Sequence, residues 1–239
     1  MKMPDLPLPD GVSLHVDRSA EQVARALAAR VAAVLARRLA HSAGASLVVS
    51  GGSTPLPFFR ALSGHSLDWK RVTVLLADER WVPEDDAASN TALVKRHLLV
   101  GNAAEARYLP LKVSAETPDQ GLKAVHEQLS ELVLPLDVVV LGMGNDGHTA
   151  SLFPDASELP SAMAPENDAL VVAMSPASQP NRRITLTRSV LARARYTALH
   201  LRGDDKLGTL REACSDLPNE LAMPVRAFLK PGLEVFWSP

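Results

Sequence analysis

Short apolar runs alternate with helical apolar stripes along most of the chain. Glycine, proline and small polar residues bound many of these runs, a pattern typical of strands buried on both faces of a parallel sheet. The predicted strands cover 46–50, 72–77, 138–141, 169–174, 184–186, 196–201 and 233–237. The alternation predicts an α/β fold with one doubly wound, mainly parallel sheet and helices on both faces. Because the chain shows neither a repeat nor an obvious linker, we expect a single domain over 1–239.

Polar and proline residues mark where the helices begin. A capping box at 19–22 opens the first helix, and Gly44 is a candidate for its end. Ser53 or Thr54 is expected to cap a helix that begins at Pro55. The apolar stripe of the first helix consists of Val23, Leu27, Val31, Val34, Leu35 and Leu39. Further helices are predicted after Ser89-Asn90, Thr117-Pro118 and Thr187 and around Lys206, with irregular segments at 1–18 and 161–168.

The bulk composition excludes several classes of protein. The chain has 239 residues, 46% of them hydrophobic, and a net charge of −2, which suits an α/β domain with a substantial core. No basic run points to nucleic acid, and Cys214 alone cannot build a disulfide framework or a cysteine-rich metal site. Residues 1–11 lack the apolar core of a signal peptide, and arginines interrupt the longest helical segment. We therefore expect a cytoplasmic protein without nucleic-acid or membrane partners, and we favour a monomer although the sequence leaves the oligomeric state open.

A glycine turn after the strand at 46–50 is a candidate anion-binding site. Gly51 and Gly52 free the backbone, and Ser53 and Thr54 stand at the start of a helix, where unpaired N–H groups point outward. Their hydroxyls would add donors for phosphate oxygens. The turn matches neither a Walker A sequence nor a dinucleotide fingerprint, so no nucleotide is implied. A purely structural turn is an equally good interpretation of this segment taken alone.

A second glycine turn, after the strand at 138–141, carries a carboxylate and an imidazole two residues apart. Asp146 and His148 lie where an open α/β sheet forms its crevice, at the carboxyl ends of its strands. A carboxylate beside an imidazole can orient it and raise its basicity, which makes this pair a candidate for acid/base catalysis. In isolation, the tripeptide Asp-Gly-His is more often an Asx-turn with an incidental surface histidine. The motifs elsewhere in the chain favour the catalytic interpretation.

An arginine follows the strand at 72–77, again at the expected crevice. Arg80 could hold an anion or stabilise an oxyanion, with Asp78 or Glu79 fixing it by an ion pair. A structural arginine–carboxylate pair is the alternative.

Two more basic residues are candidates for anion binding in the last third of the chain. Arg183 directly precedes the strand at 184–186, and Lys206 falls near the start of a helix. A helix dipole disfavours a cation at that end, so an anion docked beside Lys206 would explain the residue. A merely solvated lysine is the simpler alternative.

Taken together, four motifs resemble the 6-phosphogluconolactonases, which share a family with the glucosamine-6-phosphate deaminases. They are SGGSTP at 50–55, LADERWVP at 76–83, LGMGNDGHTASLFPD at 141–155, and RRITLT at 182–187 followed by GDDK at 203–206. The resemblance extends over 46–210. It implies a modified Rossmann-like fold and hydrolysis of 6-phosphoglucono-1,5-lactone to 6-phosphogluconate in the oxidative pentose phosphate pathway. It also implies that neither a metal nor another cofactor is required.

The resemblance assigns roles to the candidate residues. The glycine loop would lie beside the substrate, His148 would be the general base that activates water, and Arg80 matches the arginine of the family's DER motif. Arg183 and Lys206 match basic positions that serve the sugar phosphate in the related deaminases. The predicted catalytic residues are His148, Asp146 and Arg80, and the predicted substrate-binding residues are Gly51, Gly52, Ser53, Thr54, Arg183 and Lys206.

Two local differences refine the assignment. Related deaminases usually continue the Asp-Gly-His loop with Ile-Ala-Phe-Asn-Glu-Pro, whereas 149–154 reads Thr-Ala-Ser-Leu-Phe-Pro and Asp155 follows the proline. The missing glutamate favours a lactonase over an amino-sugar phosphate deaminase or isomerase. Lactonases often carry a lysine in the loop before RITLT, and 175–180 has none, which puts one substrate contact in doubt. A non-catalytic sugar-phosphate sensor is the alternative from another class, and the intact Asp146–His148 pair argues against it.

Overall fold

The computed structural model describes residues 4–239 and contains two β-sheets with helices around them. The strands are β1 (Ser13–Val16), β2 (Ala45–Val49), β3 (Val72–Leu76), β4 (Asp78–Arg80), β5 (Arg107–Leu109), β6 (Val138–Leu141), β7 (Val171–Met174), β8 (Arg183–Leu186), β9 (Tyr196–Arg202) and β10 (Glu234–Ser238). The helices are α1 (Ala20–Leu39), α2 (Leu56–Ser63), α3 (Asn90–His97), α4 (Pro118–Leu129), α5 (Leu159–Met163), α6 (Arg188–Leu191) and α7 (Asp204–Ser215). Short 3-10 helices cover Trp69–Arg71, Gly101–Glu105 and Pro224–Phe228.

Helix α1 forms as its sequence pattern predicts. The Ser19 hydroxyl accepts a hydrogen bond from the Gln22 backbone N–H at 3.3 Å, which satisfies one of the free donors at the helix start. The helix ends at Leu39 rather than at Gly44, and the Ser42 hydroxyl donates to the Arg38 carbonyl just inside this end. Its predicted stripe is buried at Val23, Leu27, Val31, Leu35 and Leu39 and partly buried at Val34. The stripe packs the helix against α2 and the main sheet.

The larger sheet has the strand order β1-β10-β9-β6-β2-β3-β5, and its neighbouring strands are all parallel. From β2 the chain moves through β3 towards one edge, whereas from β6 it moves through β9 towards the other. Because crossover connections are right-handed, the connections that leave β2 and β6 cover opposite faces of the sheet. The predicted doubly wound α/β fold is confirmed. The carboxyl ends of β2 and β6 form its topological switch point, where open α/β sheets bind their ligands.

A smaller antiparallel sheet, with the order β4-β8-β7, stands beside this one, so the expectation of a single sheet is wrong. The segments predicted at 169–174 and 184–186 form β7 and β8 of this sheet. The residues between them, 175–182, are too few for a parallel crossover, which takes a dozen or more residues. In this sheet Arg80 is paired in register with Arg183, which brings two predicted site residues together.

Several shorter elements also differ from the prediction. Strands β1 and β5 lie at the edges of the main sheet, where runs of three or four residues give little apolar signal. Pro55 is the N-cap of α2 and no side chain caps it, so the expected cap by Ser53 or Thr54 is wrong. Thr187 precedes α6 as predicted, but its hydroxyl donates to the Ala169 carbonyl at 2.8 Å instead of capping the helix. Helix α5 overlaps the segment predicted to be irregular at 161–168.

Among the helices in the described part of the chain, none combines the length and the apolarity that crossing a bilayer would need.

Candidate active site

The switch point opens into a cavity of about 370 Å³ at the carboxyl ends of β2 and β6. Predicted site residues that line it are Gly51, Gly52, Ser53, Thr54, Arg80, His148, Arg183 and Lys206. Asp146 is not part of the wall and instead contacts His148. The fold therefore gathers residues from five separate segments at one place.

The glycine loop after β2 is shaped by its contact with α3. A Cβ atom on Gly51 would lie 1.9 Å from the Oδ1 atom of the buried Asn90, so only glycine fits there. Gly52 has a φ of +95°, in the left-handed region that glycine adopts without strain. The Asn90 side-chain amide donates to the Asp78 backbone carbonyl at 3.1 Å. This bond ties the start of α3, which contacts the glycine loop, to β4. The loop thus presents Ser53 and Thr54 to the cavity from a fixed backbone.

The turn after β6 holds the imidazole of His148 against the carboxylate of Asp146. The Nδ1 atom of His148 lies 2.5 Å from the Oδ1 atom of Asp146, and the same oxygen accepts the His148 backbone N–H at 3.1 Å. A Cβ atom on Gly144 would lie 2.1 Å from Nδ1, and Gly147 has a φ of +77°, so both glycines are required by the turn. With Nδ1–H donating to the carboxylate, Nε2 is left as the proton acceptor.

The charge state of Asp146 suits this role. Burial opposes ionisation, but the hydrogen bond and the charge of His148 outweigh it and hold the pKa of the Asp146 carboxyl below its usual range. The carboxylate therefore stays ionised at neutral pH and stabilises a protonated imidazole. The His148 ring also stacks on Phe153, with ring centroids 3.9 Å apart and planes at 25°. These contacts fix the orientation of the imidazole before any substrate binds.

Two guanidinium groups lie at the cavity with unfulfilled donors. Arg183 is 6% exposed, its Cζ atom lies 5.3 Å from the centre of the Phe153 ring, and its Nη2 atom donates to Gln179 at 2.8 Å. Arg80 donates from Nη1 to the Ala88 carbonyl at 2.8 Å. Among residues 4–239, the buried Nε atoms of both arginines have no hydrogen-bond partner. Burial lowers the pKa of the Arg183 guanidinium, and the nearby Arg80 lowers it further. An anion in the cavity would relieve both effects.

The expected ion pair between Arg80 and its neighbouring carboxylates is not formed in the described part of the chain. Glu79 instead accepts the backbone N–H groups of Arg80, Asn90 and Thr91 and the Thr91 hydroxyl, and so caps α3. Side chains alternate along a strand, which points Glu79 away from its two neighbours. Asp78 lies 3.7 Å from Arg183 instead, through Oδ2 and Nη1. Arg80 is thereby left available to a ligand.

Lys206 ties α7 to the turn after β6. Its Nζ atom donates to the Asn145 side chain and lies 3.9 Å from an Asp205 carboxylate oxygen. The side chain is 22% exposed and lines the cavity, so a merely solvated lysine does not describe it. Its ammonium group stands beside the turn that carries His148.

A sequence model of the family described as glucosamine-6-phosphate isomerases/6-phosphogluconolactonase matches residues 18–237. The chain belongs to this family. A 6-phosphogluconolactonase of Pseudomonas aeruginosa is 49% identical over 239 residues, which is all of both chains. One of Pseudomonas putida is 43% identical and covers 100% of this chain and 98% of its own. A crystal structure of a 6-phosphogluconolactonase from Shewanella baltica is 42% identical, with a TM-score of 0.93 over 97% of this chain and 100% of that one.

The loop at 175–182 is held by contacts with Asp155 and Arg183. The Asp155 carboxylate accepts the Ser178 backbone N–H, with Oδ2 and N 2.6 Å apart, and Gln179 accepts from Arg183. Asp155, which follows Pro154, therefore positions this loop. Gln179 of this loop thus contacts Arg183, and no lysine occurs at 175–180.

His200 and Arg202 also line the cavity of this family member, and neither was predicted as a site residue from the sequence. His200 lies on β9, is 6% exposed, and has an Nδ1 atom without a hydrogen-bond partner among the described residues. Burial lowers its pKa to about 4, so it is neutral at physiological pH. The available signal was a histidine and an arginine at the end of an otherwise apolar strand. No group of three or more His, Cys, Asp or Glu side chains that could hold a metal occurs in the part of the chain described.

Proposed function

We propose that the chain hydrolyses 6-phospho-D-glucono-1,5-lactone to 6-phospho-D-gluconate in the oxidative pentose phosphate pathway. The observation that carries the proposal is that His148, held by Asp146, lines the same cavity as Arg183 and Lys206. Asp146 and His148 suit hydrolysis at an ester carbonyl, whereas Arg183 and Lys206 suit binding of a phosphate. The full-length likeness to proteins named 6-phosphogluconolactonase supports this substrate. We place the activity in one catalytic domain over 1–239 that acts as a cytoplasmic monomer.

In the proposed mechanism, His148 acts through Nε2. The neutral imidazole removes a proton from water as the water oxygen bonds to C1, the lactone carbonyl carbon. The C1–ring oxygen bond then breaks, and the imidazolium returns its proton to the departing ring oxygen. The product is the open-chain acid, which ionises to 6-phosphogluconate. Asp146 keeps the imidazole oriented and stabilises its protonated form.

The tetrahedral intermediate carries negative charge on the former carbonyl oxygen. Arg80 is the candidate for stabilising it, since its buried Nε has no partner among residues 4–239. A backbone N–H of the glycine turns is the other candidate donor, and in that case Arg80 would serve the phosphate instead. Both roles rest on the same observation, that the Nε donor of Arg80 has no partner among residues 4–239.

Phosphate binding would orient the lactone ring over His148. Gly52, Ser53 and Thr54 supply backbone and hydroxyl donors, while Arg183 and Lys206 supply charged ones. The phosphate is remote from C1 in the substrate, and the energy of binding it holds C1 in a fixed position for attack by water.

An Asp146→Asn variant is expected to lose turnover by about tenfold to a hundredfold, because it removes a charged hydrogen bond from the imidazolium. Initial rates of lactone loss at neutral pH test this. Normal turnover in the folded variant would mean that Asp146 only stabilises the loop.

Activity is expected to survive exhaustive chelation. Asp146 and His148 alone are too few ligands for a closed zinc site. The test compares initial rates before and after dialysis against a strong chelator. A loss that one divalent ion restores specifically would contradict the metal-free mechanism.

The substrate assignment is tested by generating the lactone with glucose-6-phosphate dehydrogenase and following its loss with and without this protein. We expect acceleration above the spontaneous rate at the same pH. A parallel assay for ammonia release from glucosamine 6-phosphate should stay at background. Ammonia release without lactone hydrolysis would replace the proposal with a deaminase, and binding without either reaction would replace it with a sensor.

A further inference from the structure

A second cleft, of about 510 Å³, lies between α6, the segment after α7 and the 3-10 helix at Pro224–Phe228. It shares no lining residue with the active-site cavity. Its charged lining residues are Arg188, Arg193, Arg226, Lys230 and Glu220. Four cations thus face a single carboxylate at this place.

The side-chain contacts neutralise only part of the positive charge in this cleft. Arg188 donates from Nη2 to Glu220 at 2.9 Å, but its buried Nε atom has no hydrogen-bond partner within residues 4–239. Arg193 and Lys230 donate to the carbonyls of Pro165 and Ala192, which carry no compensating charge. Burial lowers the pKa of the Lys230 ammonium, and the charge of Arg188 lowers it further. An anion in the cleft would offset both.

Arg226 differs from the other three cations. It is 7% exposed, donates to the carbonyls of Ala213, Asn219 and Glu212 at 3.0–3.1 Å, and places Nη1 3.9 Å from the Asp216 carboxylate. It therefore holds the polypeptide together and has its charge offset by Asp216, while Arg188, Arg193 and Lys230 keep donors that a ligand can engage.

We propose that this cleft is a second binding site, separate from the active site, for a small metabolite that carries a phosphate group. The chemistry follows from the donors: guanidinium forks and an ammonium group make charged hydrogen bonds to phosphate oxygens. Inorganic phosphate and a phosphate ester present the same oxygens, and an open cleft of this volume admits either.

The cleft is built from the same elements that position the active site. Arg188 follows β8, the strand that begins with Arg183. The 3-10 helix that carries Arg226 donates the Val225 backbone N–H to the Gly147 carbonyl at 2.9 Å, in the turn that holds His148. A ligand in the cleft therefore contacts segments that are continuous with the catalytic machinery.

Calorimetry with pyrophosphate as the probe tests the proposal, since binding needs no turnover. The wild-type chain should bind two equivalents. An Arg193→Gln/Lys230→Gln double variant, which changes two exposed residues, should weaken one of them by about tenfold or more. Lys206→Ala should weaken the other and leave the cleft site intact. Lys70→Gln, a change at a lysine whose side chain is 72% exposed, is the matched control and should bind like the wild type.

The single Arg193→Gln variant provides the same comparison if the double variant loses its fold, as judged by circular dichroism. Titrations with inorganic phosphate and with glycerol phosphate then identify the source: tighter ester binding means an esterified ligand, and tighter phosphate binding means the free ion. One equivalent in the wild type, weakened by Lys206→Ala and untouched by the cleft variants, would overturn the second site. So would cleft variants that bind two equivalents with wild-type affinity.

Discussion

A His148→Asn variant is expected to lose about 10²–10⁴ in turnover, the usual contribution of a general base. Asparagine keeps a polar side chain of similar reach, but it has no nitrogen basic enough to take a proton from water. The fold and the affinity for 6-phosphogluconate should be largely retained, because the side chain is 27% exposed and lies at the cavity wall. Initial rates of lactone loss, corrected for spontaneous hydrolysis at each pH, measure the effect.

His126→Asn is the matched control for this variant. His126 lies on the exposed side of α4 and is expected to tolerate the change with normal turnover. In the wild type, turnover should also fall in acid, since a protonated imidazole cannot act as the base. A folded His148→Asn protein with near-normal turnover would remove His148 from the mechanism. Asp146, or Asp78 at the cavity wall, would then be the next candidate for the base.

A Lys206→Ala variant is expected to bind 6-phosphogluconate about tenfold to a hundredfold more weakly, because one charged hydrogen bond to the phosphate is lost. Its Nζ atom lies beside the turn that carries His148. No other lysine lines the described cavity wall, so none can replace it there. Titration calorimetry with the product measures the affinity. Lys123→Ala on α4 is the matched control, since that side chain is 90% exposed. An unchanged product affinity in Lys206→Ala would place Lys206 outside the phosphate site.

The parts of the site that follow buried strands could be predicted from the sequence. The strands at 46–50 and 138–141 are continuous apolar runs that stop at glycines, and such runs mark central parallel strands whose carboxyl ends meet. The structure brings Gly51 and His148 to one cavity for this reason. The helix starts at Ser19 and Thr117 were also predictable, because each of these side chains accepts a backbone N–H in the first turn of the helix that follows it.

Features set by contacts between distant segments could not be predicted in the same way. The strand pattern of 184–186 is the same for a parallel and an antiparallel partner, and only the short connection at 175–182 distinguishes them. Glu79 looked like a partner for Arg80, but strand alternation directs it to the start of α3. His200 could not be assigned because a polar residue in a largely apolar strand does not show which cavity it faces.

We propose that His148 performs the chemistry while Lys206 recognises the phosphate in the same cavity. The most direct measurement is kcat/KM for 6-phosphogluconolactone and for unphosphorylated gluconolactone in the wild type, His148→Asn and Lys206→Ala. His148→Asn should lower both values by the same factor, leaving their ratio unchanged. Lys206→Ala should lower only the value for the phosphorylated lactone, so that the ratio falls by about tenfold or more. A ratio that Lys206→Ala leaves intact, or a His148→Asn variant that turns over both lactones normally, would contradict the account.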